Sequence, residues 1–387
     1  MEDRFNQQTT VEQYFSPAHD QVRRAVREFI KGQVLPHIND WEEAGEFPIE
    51  LYKRAGDLGI LGMGFPEELG GTPGDIFFQV AVTEELMRAG SGGFTSGLGS
   101  LNIALPPIVA LGTKEQKEKF VVPVLKGKKI AALGITEPGG GSDVANLQTT
   151  ATLEGDVYRV NGSKTFITSG VRADQLTCAV RTGTEGAHGI SLLVIERTTP
   201  GYAVSSKIKK TGWWASDTAE IYLDNCLVPK ENLIGEENQG FAAIMGNFQR
   251  ERLAICVIAN MTARMALEES VTYARKRKAF GKKLNGFQVT RHKLVDMATL
   301  VEASTEFTYR VAAKIGAGID QLKEVSMAKN FACQVSDKVT YDAVQIFGGY
   351  GFTREFLVER LYRDNRILSI GGGTTEIMKE IISAFVI

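Results

Sequence analysis

The chain has 387 residues, enough for two or three domains at roughly 100 to 200 residues each, and 43% of them are apolar and 23% charged. That is ordinary globular usage, which excludes a disordered chain, a collagen-like repeat and a small disulfide scaffold. Forty-four Lys and Arg against 46 Asp and Glu leave a net charge of −2, so no overall basic excess points to nucleic acid or an anionic membrane.

The opening stretch, MEDRFNQQTT, has neither the basic start nor the apolar run of a secretory signal. No apolar run in the chain approaches the ~20 residues that span a bilayer, and a cytoplasmic location is expected. From Pro17 to about Leu125 the pattern is helical: Val22, Val26, Phe29, Ile30 and Val34 recur at steps of three and four. Phe77 to Met87 and Lys114 to Leu125 are further helical segments, separated by the breaker clusters FPEELGGTPGD and RAGSGGFTSG. From about Ile130 to Gly235 the signal turns to short strands. Glu154-Gly155-Asp156 reads as a turn there, and Asn161-Gly162 as a hairpin turn. Strands at this spacing predict a small β-barrel or sandwich. After Gly240 long helices return, over Phe241 to Lys278, Gln288 to Gly316 and Asp320 to Phe347, with a short one from Thr374. Long helices with short connections predict an antiparallel bundle. The expected fold is therefore mostly α with a central β-barrel: a helical domain over 1–128, a β domain over 129–240 and a four-helix bundle over 241–387.

Several chemistries lack their residues. No P-loop lysine follows the glycines of TEPGGGSD, no dinucleotide fingerprint sits at a strand-to-helix junction, and no GxSxG elbow occurs. His19, His37, His188 and His292 form no ligand-spaced set, so no metal is expected. Cys178, Cys226, Cys256 and Cys333 are far apart and read as small buried apolar residues.

Other segments are more suggestive. TEPGGGSD offers glycines and hydroxyls at the exit of an apolar strand, where a backbone can approach a ligand closely, although a plain turn has the same composition. In NFQRERLAICVIAN, Ile244, Phe248, Glu251, Ile255, Ile258 and Met265 fall near one helical stripe with Glu251 its only charge. Burial there raises a carboxyl's pKa and makes it a usable proton acceptor. The alternative is a rim glutamate paired with Arg250 or Arg252. RKAFGKKLNGFQ combines arginine, suited to diphosphate oxygens, with phenylalanines suited to a flat ring; read alone it is also a helix C-cap with solvated lysines. QIFGGYGF and GGGTTE supply further glycines, the latter at the start of the last helix.

The order and spacing of TEPGGGSD, VNGSKTFITSG, SDTAEIYLDNCLVPKENLIG, RKAFGKKLNGFQ, QIFGGYGF and GGGTTEIMKE resemble the acyl-CoA dehydrogenases over essentially the whole chain. The resemblance implies FAD between the β domain and the bundle, and a homotetramer. It assigns the flavin and ribityl chain to Leu133, Ile135, Thr136, Gly141, Ser142, Phe166 and Thr168. Diphosphate and adenosine fall to Arg277, Phe280, Phe287, Gln288, Gln345, Gly348 and Gly349, partly across a subunit interface, and the last cofactor contacts to Thr374 and Glu376. Ser142, Phe248, Arg252, Gly372 and Gly373 would face the acyl-CoA. Many members carry the catalytic glutamate where this chain has Gly372, which cannot accept a proton. The chain is in this respect similar to isovaleryl-CoA and long-chain acyl-CoA dehydrogenases, whose glutamate on the first bundle helix matches Glu251. The activity implied is oxidation of an acyl-CoA to its trans-2-enoyl-CoA, with an electron-transfer flavoprotein as acceptor. An acyl-CoA oxidase and a catalytically silent flavin-fold scaffold are the alternatives. Gly93, Gly97 and Gly99 are expected to leave room near the acyl pocket.

Overall fold

Pro17 stands at the first position of α1 (Pro17–Phe29), where its missing N–H has no helical partner to lose. The computed structural model describes residues 13–387, so the opening segment read above for targeting lies outside the described residues. The buried face of α1, with Val26 and Phe29, continues through one π-helical turn, Ile30–Val34, that buries Ile30 and Val34. There follow α2 (Ile38–Ala44), α3 (Glu50–Asp57), α4 (Ile76–Met87), α5 (Gly92–Leu98), α6 (Leu101–Ala104), α7 (Pro106–Leu111), α8 (Lys114–Phe120) and α9 (Val122–Leu125).

Helix α4 is apolar on both sides. Val82 and Leu86 join a core shared with the sheet, while Ile76, Phe77, Val80 and Met87 join the core of the C-terminal helices. Its acids are buried in pairs, Glu84 with Arg23 at 2.5 Å and Glu85 with Arg27 at 2.8 Å. The glycines expected to leave pocket space do not: a Cβ on Gly93 would lie 2.7 Å from the Trp213 backbone, one on Gly97 2.8 Å from the Phe47 ring, and one on Gly99 2.9 Å from the Thr95 carbonyl. Gly93 and Gly97 are close-packing positions that let Trp213 and Phe47 in, and Gly99 lies against the last turn of its own helix.

The middle of the chain forms β1 (Ala131–Gly134), β2 (Thr150–Glu154), β3 (Val157–Thr168), β4 (Gln175–Arg181), β5 (Ile190–Glu196), β6 (Tyr202–Val204), β7 (Thr218–Pro229) and β8 (Leu233–Ile234). Their order is β6-β7-β3-β2-β4-β5-β8, with β1 on β4, and the sheet is open rather than the expected closed barrel. Closure needs full-length strands with a consistent stagger. Here β2 meets β4 at the single pair Thr150↔Arg181, β1 takes the rest of that β4 edge, and the outer strands β6 and β8 have three and two residues. Helix α7 and the long helix of the next region pack on β8 and β5.

Asn161-Gly162 is not a hairpin turn. Gly155, with φ +63°, turns the β2–β3 hairpin, and Gly162 lies inside β3 at a register shift against β7. A glycine is needed there because a Cβ would fall 2.6 Å from Thr149 Oγ1, while Asn161 accepts the Asn225 N–H at 2.8 Å.

The C-terminal region comprises α10 (Gly240–Lys276), the hairpin β9 (Lys278–Ala279) and β10 (Lys282–Lys283), α11 (Gln288–Gly316), α12 (Leu322–Phe347), α13 (Leu357–Asn365) and α14 (Thr375–Val386). Three long helices make the body of the bundle, and the short α13 and α14 close it against α12. The four cysteines are buried and unpaired. Among the described residues no single helix is long and apolar enough to cross a membrane.

Candidate active site

The loop after β1 is fastened from beneath by a buried ion pair. Glu137 and Gly140 exchange backbone hydrogen bonds of 3.1 and 3.0 Å, which closes the glycine turn. The Glu137 carboxylate accepts from Lys164 Nζ at 2.7 Å and from the N–H groups of Gln148 and Thr149 at 2.5 and 2.9 Å. Burial pushes this carboxyl up, but Lys164 and these donors outweigh burial and hold it below its ordinary value. Lys164, on β3, also donates to the Ile135 carbonyl at 3.2 Å, and the Thr165 N–H donates to Thr136 at 2.9 Å. Leu133, Ile135 and Thr136 are thus half-buried along the loop's root, with Gly141 and Ser142 exposed at its end. Nothing lies within 4 Å of a Cβ placed on Gly139 or Gly140.

At the end of β3, Phe166 adopts φ +58° beside a second register shift, and its ring is 67% exposed. A left-handed backbone is costly for an aromatic residue and is found where a site demands it. Thr168, its neighbour on the strand, pairs with Thr218 of β7.

On the bundle side, α10 carries Phe248, Glu251, Arg252 and Ile255 toward the loop 371–374. The Arg252 guanidinium lies over the Phe248 ring at 5.3 Å, and its Nε donates to the Gly372 carbonyl at 3.4 Å. Glu251 forms no ion pair among the described residues, and its buried Oε2 has no hydrogen-bond partner. The rim pairing with Arg250 or Arg252 that the sequence left open is not formed. Burial raises the Glu251 carboxyl above its ordinary value, with Arg252 and Lys329 pulling against that rise. Gly372 and Gly373 both have positive φ, +63° and +101°. A Cβ on Gly372 would strike Ile255 Cδ1 at 2.4 Å and lie 3.6 Å from Glu251 Oε1. Among the described residues the Gly372 N–H has no hydrogen-bond acceptor. Thr374 caps α14, accepting the Ile377 N–H at 3.3 Å, and Glu376 is exposed in its first turn.

A cavity of about 550 Å³ lies at the far end of α10, where Tyr273 stacks on Phe347 at 4.0 Å. It brings together Arg277, Gly348 and Gly349, with Arg277 over the Tyr350 ring at 5.5 Å. Arg277 has no carboxylate partner among the described residues, and a Cβ at either glycine would meet nothing within 4 Å. Gln345, Phe280, Phe287 and Gln288 do not line this cavity. Phe280, at the hairpin tip with φ +49°, is 96% exposed and meets Phe287 edge-on at 6.4 Å, while Gln345 and Gln288 are exposed.

Two features escaped the sequence reading. Glu137 and Lys164 stand within quoted motifs, but their pairing is a contact across 27 positions. Lys329 stood in view as the one charge on a stripe with Val325, Ala332 and Cys333, the same signal that singled out Glu251.

Residues 16–128, 132–226 and 238–387 match the N-terminal, middle and C-terminal domains of acyl-CoA dehydrogenase. The chain belongs to the acyl-CoA dehydrogenase family. An acyl-CoA dehydrogenase of Bacillus subtilis is 38% identical over 367 residues, covering 95% of this chain and 97% of the relative. The caffeyl-CoA reductase-Etf complex subunit CarC of Acetobacterium woodii is 36% identical over 382 residues, covering 97% of this chain and 99% of its own length. Among solved structures, a "probable acyl CoA dehydrogenase" from Mycobacterium abscessus has TM-score 0.95 and 49% identity, with 96% of this chain and 100% of that one covered. An acyl-CoA dehydrogenase complexed with FAD from Bacillus anthracis has TM-score 0.89 and 33% identity, with 98% and 69% covered. The chain is an FAD-dependent oxidoreductase of this family, and its residues fit the cofactor: an open glycine cradle after β1, the solvent-facing Phe166 ring, and an unpaired arginine in a glycine-floored cavity.

Proposed function

We propose that this enzyme oxidises an acyl-CoA thioester to the trans-2-enoyl-CoA with Glu251 as the base. The observation that carries this is the Glu251 carboxylate facing the space above Gly372, its enclosed Oε2 without a hydrogen-bond partner among the described residues. Glu251 takes the proton from the α-carbon, and Oε2, which holds no other hydrogen bond, is free to receive it. The developing negative charge on the thioester oxygen needs a donor, and the Gly372 N–H is unassigned and adjacent. Arg252, anchored to the Gly372 carbonyl and over Phe248, fixes the wall of the acyl site. FAD, when bound, supplies the acceptor for the β-hydrogen, which leaves as hydride. Leu133, Ile135, Thr136, Gly141, Ser142, Phe166 and Thr168 hold its flavin half. Arg277, Gly348 and Gly349 hold the diphosphate side, with Phe280, Phe287, Gln288, Gln345, Thr374 and Glu376 completing the site.

The fully exposed Phe280 supports a homotetramer in which a neighbouring copy covers that ring. An electron-transfer flavoprotein as acceptor is favoured by the relative named as part of an Etf complex. A silent scaffold is disfavoured, because an enclosed carboxylate oxygen without a hydrogen-bond partner costs stability and has no structural use. The deciding experiment is anaerobic flavin bleaching with straight and branched acyl-CoAs of short, medium and long chain. Bleaching by at least one chain class is expected, and a folded, FAD-loaded protein that none of them bleaches overturns the proposal.

A further inference from the structure

Lys329, on α12, is a buried cation without a carboxylate partner. Its side chain is 1% exposed, and its Nζ has one hydrogen bond, donated to the Gly373 carbonyl at 2.7 Å. No acidic oxygen lies within ion-pair distance of it among the described residues, whereas the other fully buried lysine, Lys164, has Glu137 at 2.7 Å. Buried ammonium groups are expensive and are ordinarily paired. The position that a Gly372 Cβ would occupy is 3.8 Å from Lys329 Cε and 3.6 Å from Glu251 Oε1. The lysine and the carboxylate, neither of them in an ion pair among the described residues, therefore flank the same small space.

We propose that Lys329 is a positioning residue for Glu251: its ammonium charge keeps the neighbouring carboxylate in the proton-accepting form, and its bond to the Gly373 carbonyl holds the loop 371–374 against it. The role rests on Glu251 being the base. The surroundings leave few other groups to do this. From α10 the facing groups are Glu251 itself, Arg252 and the Cys256 thiol, and from α12 the Cys333 thiol. Burial pushes both thiols up, Cys333 to about 11 and Cys256 beyond the range in which it ionises, so both are neutral. The loop 371–374 has no titratable side chain. On α14 Glu376 is exposed, on α13 Asp364 turns to Arg363, and on α11 Lys293 pairs with Asp342. Arg252, which donates to the Gly372 carbonyl, is the other cation facing Glu251 and favours its ionised form more strongly than Lys329 does, so the Lys329 charge adds to that of Arg252. Burial draws the Lys329 ammonium below its ordinary value of 10.5, against the pull of Glu251.

Three variants of the FAD-loaded enzyme separate charge from hydrogen bonding. Lys329→Met removes both, Lys329→Gln keeps a donor for the Gly373 carbonyl, and Lys329→Arg keeps the charge. The reductive half-reaction depends on ionised Glu251, so its rate rises with pH through an acid limb. Removing a cation at this range is expected to move that limb up by about one pH unit or more in the Met and Gln variants, about a tenfold loss of rate below it. The Arg variant keeps the wild-type limb. A second readout needs no turnover: the infrared band of the protonated Glu251 carboxyl, identified by its loss in Glu251→Gln, persists to higher pH in Lys329→Met and Lys329→Gln. An unmoved infrared titration in the folded Gln variant overturns the proposal. If the infrared titration moves and the bleaching limb does not, Glu251 is coupled to Lys329 but is not the base, and the positioning role falls with the base assignment.

Discussion

Glu137, buried, and Glu251, half-buried with its Oε2 enclosed, both stand beside glycine-rich loops, and desolvation pushes both carboxyls up. In Glu137 a lysine at 2.7 Å and two backbone N–H groups reverse the push, and the carboxyl settles below its ordinary value. In Glu251 the two nearby cations only temper it, no hydrogen bond satisfies Oε2, and the carboxyl stays raised. The first arrangement fixes a loop and the second leaves a carboxylate oxygen unsatisfied. Partner geometry, more than burial, separates a structural acid from a reactive one.

The largest effect expected from breaking this comparison is at the satisfied site. Lys164→Met strands Glu137 as a buried charge and should cost about 3–5 kcal/mol and release FAD, while Lys164→Met with Glu137→Gln should cost less than the single change. Thermal unfolding and flavin content measure this, and a single variant as stable as the wild type would contradict it. At the unsatisfied site the loss is functional. Glu251→Gln should retain FAD and bleach at least ~10²-fold more slowly. Its folded carboxyl is raised, so the stability it contributes is present below the ordinary 4.5 and lost as pH rises through the folded value. Glu251→Gln should therefore be at least as stable as the wild type at pH 8, and bleaching at the wild-type rate would end the base assignment. Adding Gly372→Glu should recover less than about tenfold, because any side chain at φ +63° is strained and its Cβ meets Ile255 Cδ1 at 2.4 Å.

The smallest effect comes from a third buried acid, intermediate between these two. Asp364 accepts the N–H groups of Trp213 and Gly92 at 2.6 and 3.1 Å and lies near Arg363, yet burial and the neighbouring Glu42 push it up to about 7. Its contribution to stability is present below the ordinary carboxylate value and lost as pH rises through about 7. Going from pH 6 to 8 should cost roughly 1.4 kcal/mol, a step that Asp364→Asn flattens even as it lowers the midpoint by breaking one backbone contact. Thermal midpoints at the two pH values test it, and equal slopes in both proteins would refute it.

Local pattern carried much of the architecture. The helix ends at Gly316 and Phe347 were legible because steps of three and four persist until a glycine stops them. Glu251 was legible as the one charge on an apolar stripe, and three of the residues singled out by type, Arg277, Gly348 and Gly349, meet around one cavity. The same local logic failed at Asn161-Gly162, where turn chemistry serves a bulge, and at Gly93 and Gly97, where absent side chains admit Trp213 and Phe47 rather than ligand.

The sequence by itself determined the order of helical and strand regions and the ends of the long helices, and which residue types can accept a proton or approach a cofactor. These follow from periodicity and residue type within a few positions of chain. Only the tertiary structure decided that the sheet stays open, that Glu137 is neutralised by Lys164, and that Glu251 and Lys329 flank one space above Gly372. Those outcomes depend on distances between residues far apart in the chain. Electrostatic energy and strand closure are set by such distances, which local composition does not encode.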